Sequence, residues 1–457
     1  MAAIRSRLAA IGLWLALAAV AGCTSYSRDA PLIREALTRD DYAGALAQIE
    51  KIDMSGSELL YCYEKGLVLH EQGDYAGSNQ AFERAEQVLE ELYTKSISRE
   101  VGAIIVSETI SKYRGDPFEA VLVNYYKILN YLFLDDVDGA LVECRRLNGK
   151  LQMIHDAGET YFEDDPFLQY LTGLVYELGG EAGSAEVSYR AAVQEYGRGT
   201  SAPPAPPWLA CDATANARAL GDSQAADSLF SPLCDSIPAG EARLAVLVEY
   251  GAVARKIETG FVVPIFESDR WDNNDEFSRE LSRRRQVEYH HPPHVKYWLK
   301  VALPSLQVDP PDGLRAVVRV VAKNANRADA PAEAGLARVE DLDTQAARAF
   351  AEKEPTILLR AIARALAKYI ASNAADNKNE GLGALVNLLG IMTETADTRS
   401  WTTLPRSIDL ARLDVEPGLY RIDVDVLDAA GRRIARRTFD DVDVRRGGLA
   451  VRRVRVR

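Results

Sequence analysis

The spacing of apolar and small residues changes from a helical period to a strand period along the chain. In the first 200 residues, two segments share one order of small, small, aromatic and small positions, with steps of 12, 4 and 3 residues. The two sets are Gly66, Ser78, Phe82 and Ala85, and Gly173, Ala185, Tyr189 and Ala192. Because residues three and four apart share a helix face, each segment predicts a pair of packed helices.

This pattern resembles the tetratricopeptide repeat, in which small residues let two helices cross closely and an aromatic side chain fills the groove between neighbours. Two weaker units share only the second-helix half: Ala45, Ile49 and Ile52, and Ala140, Cys144 and Leu147. The resemblance implies an irregular solenoid of helical hairpins with a groove. A helical bundle of another kind is the alternative.

A polar run follows an apolar stretch at residues 118–134. It consists of Glu143, Arg145, Arg146 and Asn148. Such a run is typical of a solvated helix face. It also fits a polar clamp inside the groove, so these four residues are candidate partner-binding residues.

The helical region ends at Pro203, Pro204, Pro206 and Pro207. Proline fixes φ and lacks a backbone donor, so this stretch predicts a semi-rigid spacer. Two helices, at about 208–230 and 239–256, are expected to follow it.

From residue 295 the apolar positions alternate. This period predicts strands at about 295–303, 314–321, 420–426 and 432–439, and favours an antiparallel β-sandwich. Three helices are expected between the strand groups, at about 341–352, 355–374 and 380–395.

The predicted fold class is therefore α+β multidomain. A tetratricopeptide-like helical domain spans residues 23–200, and a spacer with connecting helices spans 201–258. A β-sandwich-like domain spans 259–457, with a helical insertion at about 341–395.

Residues 1–22 have the parts of a lipoprotein signal peptide. Arg5 and Arg7 precede an apolar run of about 14 residues, which is short of the ~20 that a spanning helix needs. The run ends in Val20-Ala21-Gly22-Cys23, which resembles the lipobox of bacterial lipoproteins. The resemblance implies cleavage before Cys23, a lipid (including palmitate) on it and, since no Asp follows, a place on the periplasmic side of the outer membrane. An ordinary secreted protein is the alternative.

The formal net charge of −13 argues against a nucleic-acid partner. Residues 31–200 hold 30 acidic and 15 basic residues, whereas residues 201–457 hold 36 of each, so the excess acid lies in the helical half. The last strand carries Arg453, Arg455 and Arg457 on one face. We expect a solvated sheet edge there; a basic patch for anionic lipid, or for the acidic half of another copy, is the alternative.

Residues for metal or nucleophilic chemistry are few. His290, His291 and His294 form the only histidine cluster, and the prolines between them keep the segment extended, so no metal site is predicted. The glycine-rich phosphate loop, the serine elbow and the zinc helix are absent from the sequence. No cofactor and no enzymatic activity are expected.

After lipidation four cysteines remain. Cys211 and Cys234 are the candidate disulfide, because they flank a short loop and the periplasm is oxidising. Cys62 and Cys144 occupy helix positions that repeat proteins bury, so they are predicted to be core residues.

Residues 396–405 contain Asp397, Arg399 and Trp401, which are candidate partner-binding residues because Arg and Trp are common anchors. A structural corner in which Trp401 fills the sandwich is the favoured interpretation. This stretch, with residues 123–131 and 142–148, resembles a family of bacterial outer-membrane lipoproteins with tetratricopeptide-like repeats. The family brings no established activity; by analogy, such proteins sit beside activators of peptidoglycan synthases.

These observations predict a lipid-anchored periplasmic scaffold or adaptor that binds a protein or peptide partner through its groove, in cell-envelope or peptidoglycan assembly. The alternative is a cell-wall-facing hydrolase or carbohydrate-binding protein, whose carboxylates cannot be told from solvated ones by sequence. The oligomeric state is left open.

Overall fold

The computed structural model describes residues 25–52, 54–96, 112–156, 165–198, 203–236, 241–266, 295–323, 332–376 and 395–457. Helices form the N-terminal part and mixed sheets follow, as the sequence predicts. Within these ranges, no helix combines the length and the apolar character that crossing a membrane requires.

Four consecutive helix pairs build the N-terminal part, which we call the helical array. Their bounds are α1 Ser25–Thr38 and α2 Tyr42–Ile49, α3 Met54–Gln72 and α4 Tyr75–Ser96, α5 Pro117–Phe133 and α6 Val137–Asp156, and α7 Pro166–Leu178 and α8 Ala182–Arg198. Two short helices, α9 Leu209–Ala219 and α10 Ser223–Leu229, extend the array, and a 3₁₀ turn follows at Pro232–Ser236.

Each turn within a pair contains a residue of positive φ. These residues are Asp40, Gly73, Asp135 and Gly180. In the first three pairs an aspartate follows, and its carboxylate accepts the N–H of the residue three positions later, as Asp74 does from Gly77 (2.9 Å). That bond satisfies an amide which the first helical turn leaves free.

Close helix crossings explain the repeated small residues. A Cβ at Gly66 would lie 2.5 Å from the Phe82 ring, and one at Gly173 would lie 2.4 Å from Tyr189. Only glycine therefore lets the two aromatic rings pack directly on the first helix of each pair.

Ten strands follow. Their bounds are β1 Ala242–Tyr250, β2 Arg255–Phe266, β3 Val295–Gln307, β4 Arg315–Ala322, β5 Ala332–Ala334, β6 Ala337–Asp341, β7 Ser407–Val415, β8 Gly418–Leu427, β9 Arg433–Val444 and β10 Leu449–Val456. The first sheet has the order β10-β1-β7-β6 and the second β5-β4-β8-β9, while β2 and β3 form a separate hairpin.

The first sheet is the middle layer of the molecule. On β1, Leu244 and Val246 belong to an apolar cluster shared with β4 and β8 of the second sheet. Ala245 and Leu247 belong to the cluster that contains the buried side chains of the helical array. The array, the first sheet and the second sheet therefore pack as three successive layers.

The helix predicted at 239–256 is wrong, because β1 occupies this segment. Both faces of β1 are buried, so its apolar residues run continuously instead of alternating, and such a run cannot be told from a buried helix by period. The boundary drawn at residue 258 is wrong as well, since it separates β1 from its partners β7 and β10.

The expectation of a purely antiparallel arrangement is also wrong. β1 and β10 pair in parallel, whereas β7 pairs antiparallel with β1 on the other side. Parallel neighbours need a long connection. Here that connection contains all the other strands.

The two helices predicted at 341–352 and 355–374 are one helix, α11 Leu342–Asp376, which continues through Pro355. It packs through Ala361 and Ala365 on Val301 of β3. Of the third predicted helix, at 380–395, all but the last residue lies outside the described residues.

The predicted pairing of Cys211 with Cys234 is confirmed. The disulfide joins α9 to the 3₁₀ turn, with the two Cα atoms 5.2 Å apart. Cys62 and Cys144 are buried free thiols in the helical array, as predicted. Burial raises the pKa of Cys62 to about 11 and that of Cys144 further, so neither side chain is a thiolate at neutral pH.

The close crossings lead to a first prediction. Gly66→Ala should lower the free energy of unfolding by roughly 1–3 kcal/mol, because the added methyl must displace the buried Phe82 ring. Gly149→Ala, in the exposed middle of α6 with no atom near the new Cβ, should raise it by about 0.5–1 kcal/mol. Urea unfolding of both variants measures the difference; equal effects would contradict this account of the crossing.

Candidate functional site

Five charged side chains meet where the helical array covers the first sheet. Glu71 comes from α3, Glu249 from β1, and Arg453, Arg455 and Arg457 from the region of β10. Glu249 accepts hydrogen bonds from Arg453 and, at 3.2 Å, from Arg455, while Glu71 pairs with Arg457 and lies 3.4 Å from Arg453. We call these five residues the buried ion cluster.

Burial and charge act in opposite directions on the two glutamates. Burial raises the pKa of Glu249, but the adjacent Arg453 and Arg455 outweigh it and lower this pKa to about 2. The pKa of Glu71 is likewise lowered by the three arginines against the effect of its burial. Both carboxylates are therefore ionised at neutral pH, and each buried charge has a partner of opposite sign.

Both interpretations offered for the C-terminal arginines are therefore wrong. Arg453, Arg455 and Arg457 do share one face of β10, but the helical array covers that face, and their side chains are 8%, 7% and 14% exposed. They bind the acidic half of their own chain. No second copy or lipid is needed to explain them.

A second contact fills the array with the chain's own residues 397–404. Trp401 is fully buried and stacks on Tyr63 of α3, with ring centroids 4.5 Å apart. Its backbone N–H donates to Glu119 of α5 (2.7 Å). Glu64 of α3 is also fully buried and accepts the backbone N–H of Thr402 (3.2 Å).

The polar residues of this segment also bind within the chain. Arg399 donates twice to Asp397, at 2.8 and 2.7 Å, and once to the carbonyl of Gly56 (2.8 Å). The favoured structural corner is confirmed, but Trp401 fills the helical array and not the space between the sheets. The candidate partner-binding residues are Asp397, Arg399 and Trp401. All three contact other residues of the same chain.

An acidic pair lies beside this contact. Asp116 pairs with Lys256 of β2 (3.0 Å) and with Lys353 of α11 (2.6 Å). Burial and the negative charge of Asp116 together raise the pKa of Glu119 to about 7. The two lysines lower the pKa of Asp116 against the effect of its burial. These contacts fix the β2–β3 hairpin and α11 on the array.

The predicted polar clamp does not form one site. Glu143 is buried and lies 3.0 Å from Lys127 of α5, and Arg146 donates to the same carboxylate (3.1 Å). Arg145 instead binds Glu181, in the turn between α7 and α8. Asn148 donates to the Tyr176 hydroxyl on α7 (3.3 Å). The four residues connect neighbouring helix pairs and face two different directions.

A cleft of about 570 Å³ opens where the helical array meets β9 and β10. His70, Tyr75 and Phe133 form an aromatic wall, with ring centroids 5.0 to 5.9 Å apart. Residues 449–453 of β10 form a second wall. We call this cavity the edge cleft.

His70 is a neutral part of the aromatic wall. Burial, together with the charge of Arg453, lowers the pKa of His70 to about 3. The Asn130 amide donates to Ser78 (2.9 Å) and Asn79 (2.8 Å), so its oxygen accepts the Nδ1–H of His70. The imidazole is thus fixed in one tautomer, with Nδ1 as the donor.

Two sequence-based expectations fall on residues that the structure does not describe. Cys23 and the histidines at 290, 291 and 294 lie outside the described ranges. Among the residues that are described, no three His, Cys, Asp or Glu side chains are grouped to hold a metal ion.

The buried ion cluster and the edge cleft were not predicted. One signal was available: Glu249 is the only charged residue within the apolar run 244–250. An acidic residue in such an apolar run indicates a buried partner of opposite charge, because an unpaired buried charge is costly. The arginines of the last strand were cations for which no partner had been predicted.

Comparison with known proteins gives little. No family profile and no curated protein sequence matches the chain. Among solved structures, the crystal structure of MamA protein is similar over 45% of this chain and 88% of that chain, at 14% identity and a TM-score of 0.29. A likeness this weak carries no argument about fold or function.

The buried ion cluster gives a second prediction. Glu249→Gln should lower the free energy of unfolding by about 3–5 kcal/mol, because Arg453 and Arg455 then share only Glu71 inside the protein. The control is Glu241→Gln, which breaks an exposed pair with Arg446 and should change it by less than about 1 kcal/mol. Denaturant unfolding compares the two; a cost below 1 kcal/mol for Glu249→Gln would contradict the assigned role.

His70 gives a third prediction, about pH. A histidine whose pKa is lowered by folding binds fewer protons in the folded state, so its contribution to stability is present above about pH 6.5 and lost as the pH falls towards 3. His70→Asn keeps a donor to Asn130 but does not titrate. The stability difference between wild type and variant should therefore shrink by about 3 kcal/mol from pH 7 to pH 4.

Urea unfolding at several pH values measures this difference. His155→Asn, at an exposed position near the end of α6, controls for the replacement of a histidine elsewhere in the protein. A parallel pH dependence for wild type and His70→Asn would show that folding leaves the pKa of His70 unchanged, contrary to its assigned place in the aromatic wall.

Proposed function

We propose that this protein is a lipid-anchored scaffold or adaptor on the periplasmic side of the outer membrane, which binds a protein or peptide partner and performs no chemistry itself. Its helical array is a tetratricopeptide-like solenoid, and the sheets form a β-sandwich-like domain. The glycine–aromatic crossings of two pairs, at Gly66 with Phe82 and Gly173 with Tyr189, support the repeat assignment.

One observation carries the choice of binding surface. The helical array already holds a segment without regular secondary structure, residues 397–404, with Trp401 buried among its helices. β10 covers another part of the array through the buried ion cluster. Because the chain's own residues fill the array, we assign the partner site to the edge cleft beside it. This cleft is large enough for a ligand.

The contacts of Tyr26 set the distance between the helical array and the proposed lipid anchor at Cys23. Tyr26 is 4% exposed and donates to the buried Glu64 (2.7 Å), only three residues after Cys23. A lipid on Cys23 would therefore hold the array within roughly 10 Å of the membrane surface, the length of a three-residue tether. The assigned role in cell-envelope or peptidoglycan assembly rests on the location alone.

The buried carboxylates do not favour the hydrolase alternative. In the described interior, Glu71, Glu249 and Asp116 are all ion-paired with arginine or lysine. Glu64 accepts hydrogen bonds from Tyr26, Thr402 and Thr403. These contacts neutralise the three ion-paired carboxylates and satisfy Glu64 within the fold.

A crosslinking experiment tests the proposal. A photoreactive phenylalanine analogue at Asp443, on the rim of the edge cleft, should give one discrete protein adduct in living cells. The same group at Val187, which is 70% exposed on α8, should not. The Cys23→Ala form should lose the adduct, because it leaves the membrane on which the partner is held.

The adduct is identified by mass spectrometry, and the purified protein must rebind the named partner. Adducts from position 187 alone, or none from either position, would contradict a partner site at the edge cleft. Unchanged membrane fractionation of Cys23→Ala would contradict the anchor.

A further inference from the structure

β10 is the end strand of the first sheet, and its backbone pattern is fixed by two bonds to β1. The Arg243 N–H donates to the Gly448 carbonyl (2.9 Å), and the Gly251 N–H donates to the Val456 carbonyl (2.8 Å). Because parallel strands bond through alternate residues, the peptide groups of 449, 451 and 453 point away from β1. No strand of the described ranges pairs with that side.

This outer edge faces the edge cleft. Five consecutive residues, 449–453, line the cavity, whereas β9 across it contributes only alternate residues, Phe439, Asp441 and Asp443. A strand whose consecutive residues all line a cavity presents its backbone edge, while alternate residues present one face. The cavity therefore lies along unpaired peptide groups of β10.

Other strand ends of the two main sheets are protected. β6, at the opposite end of the first sheet, has five residues and a bulge, and its Val339 carbonyl accepts the Tyr196 hydroxyl (3.1 Å). β5 has three residues. β9 carries two register shifts and a row of exposed charged side chains. β10 has eight residues and no register shift, and on its outer side the Val451 carbonyl accepts the guanidinium of the neighbouring Arg452 (2.8 Å).

The walls of the edge cleft define what fits there. On one side lie the rings of His70, Tyr75 and Phe133. At the rim, Asp135, Asp441 and Asp443 are 79%, 70% and 58% exposed. Arg445 is shared by Asp135 and Asp443, and Lys323 by Asp440 and Asp441, so carboxylates outnumber cations at the opening. An extended chain entering the cleft would meet apolar rings inside and carboxylates outside.

We propose that β10 is a docking strand: an extended segment of a partner protein pairs with its outer edge inside the edge cleft. The segment places a large apolar side chain against the aromatic wall and a lysine or arginine at the acidic rim. This inference rests on the proposed function and names the mode of its partner site. Arg452 closes the edge in the free protein, because its guanidinium donates to the Val451 carbonyl (2.8 Å), and it swings away on binding.

Hydrogen exchange tests the edge before any ligand is known. In the free full-length protein, the amides of Val451 and Arg453 should exchange faster than those of Ala450 and Arg452, which bond to β1. Protection of all four amides to the same degree would overturn the proposal, since the edge would then be covered.

A peptide probe tests binding. Random 12-residue peptides displayed on phage are selected on the mature chain, and the best binder is synthesised with a fluorescent label. Leu449→Pro removes an outward N–H at the first strand position, where proline is tolerated, and should weaken binding about tenfold. Leu449→Ala keeps that N–H and should weaken it less than threefold.

The acidic rim has its own matched variants. Asp441→Asn with Asp443→Asn should weaken the peptide about threefold to tenfold at low salt and less at high salt. Asparagine is chosen because residue 441 has a φ of 56°, which asparagine tolerates. Asp440→Asn, next to the rim but outside the cleft lining, should leave binding unchanged.

The outcomes separate this inference from the proposed function. If Leu449→Pro and Leu449→Ala weaken the peptide equally, or the peptide gives no exchange protection at 449–453, strand pairing is overturned. A partner crosslinked at position 443 would then still support the scaffold. If no partner crosslinks in cells, the proposed function is contradicted, whether or not the peptide binds. Unchanged thermal midpoints of the variants show that their folds are intact.

Discussion

The arrangement of the whole chain depends on the neutralisation of two buried glutamates by its last strand. Glu71 and Glu249 lie in the first and the middle third of the sequence, and the arginines that neutralise them lie in its last five residues. An unpaired charge at this depth costs several kcal/mol, so the helical array and the first sheet reach their final packing only when β10 is in place. The local acid excess of the helical half has the same explanation. Asp40 pairs with Arg437 of β9 and Glu177 with Arg243 of β1, across the boundary between array and sheets.

The helical part was predictable because its determinants are local. Gly66 and Phe82 are 16 residues apart and meet within one helix pair, so their spacing in the sequence encodes the contact. β1 was not predictable, since its residues alternate between two apolar cores and the sequence loses the polar face by which a strand is recognised. The predicted division into two helices at Pro355 was wrong for a related reason. Proline removes one helical hydrogen bond, but the packing of Ala361 and Ala365 on β3 favours a continuous helix.

The residue types of the candidate site could be predicted from the sequence, but their position in the fold could not. Trp401 and Arg399 stood out as anchors, and both are anchors, but of the chain to itself. Their partners, Tyr63 and the carbonyl of Gly56, are more than 330 residues away in sequence, and no local pattern records such a distance. Arginines at alternate positions of a terminal strand have the same pattern on a solvated edge and on a buried face. Only the helices packed above them distinguish the two cases.

The edge cleft explains how the fold can contain a long unpaired strand edge without edge-to-edge association between copies. An open edge of eight residues without a bulge is a template for edge-to-edge association between copies. β10 avoids this by its depth: the aromatic wall of α3 to α5 stands on one side, β9 on the other, and charged residues line the rim. A folded sheet brings its neighbouring strand and its covering layers with it, so its edge cannot enter a cavity of about 570 Å³. A single extended chain has no such bulk beside it. The recess therefore excludes another copy of this sheet and leaves the backbone of β10 accessible to a flexible segment of a partner.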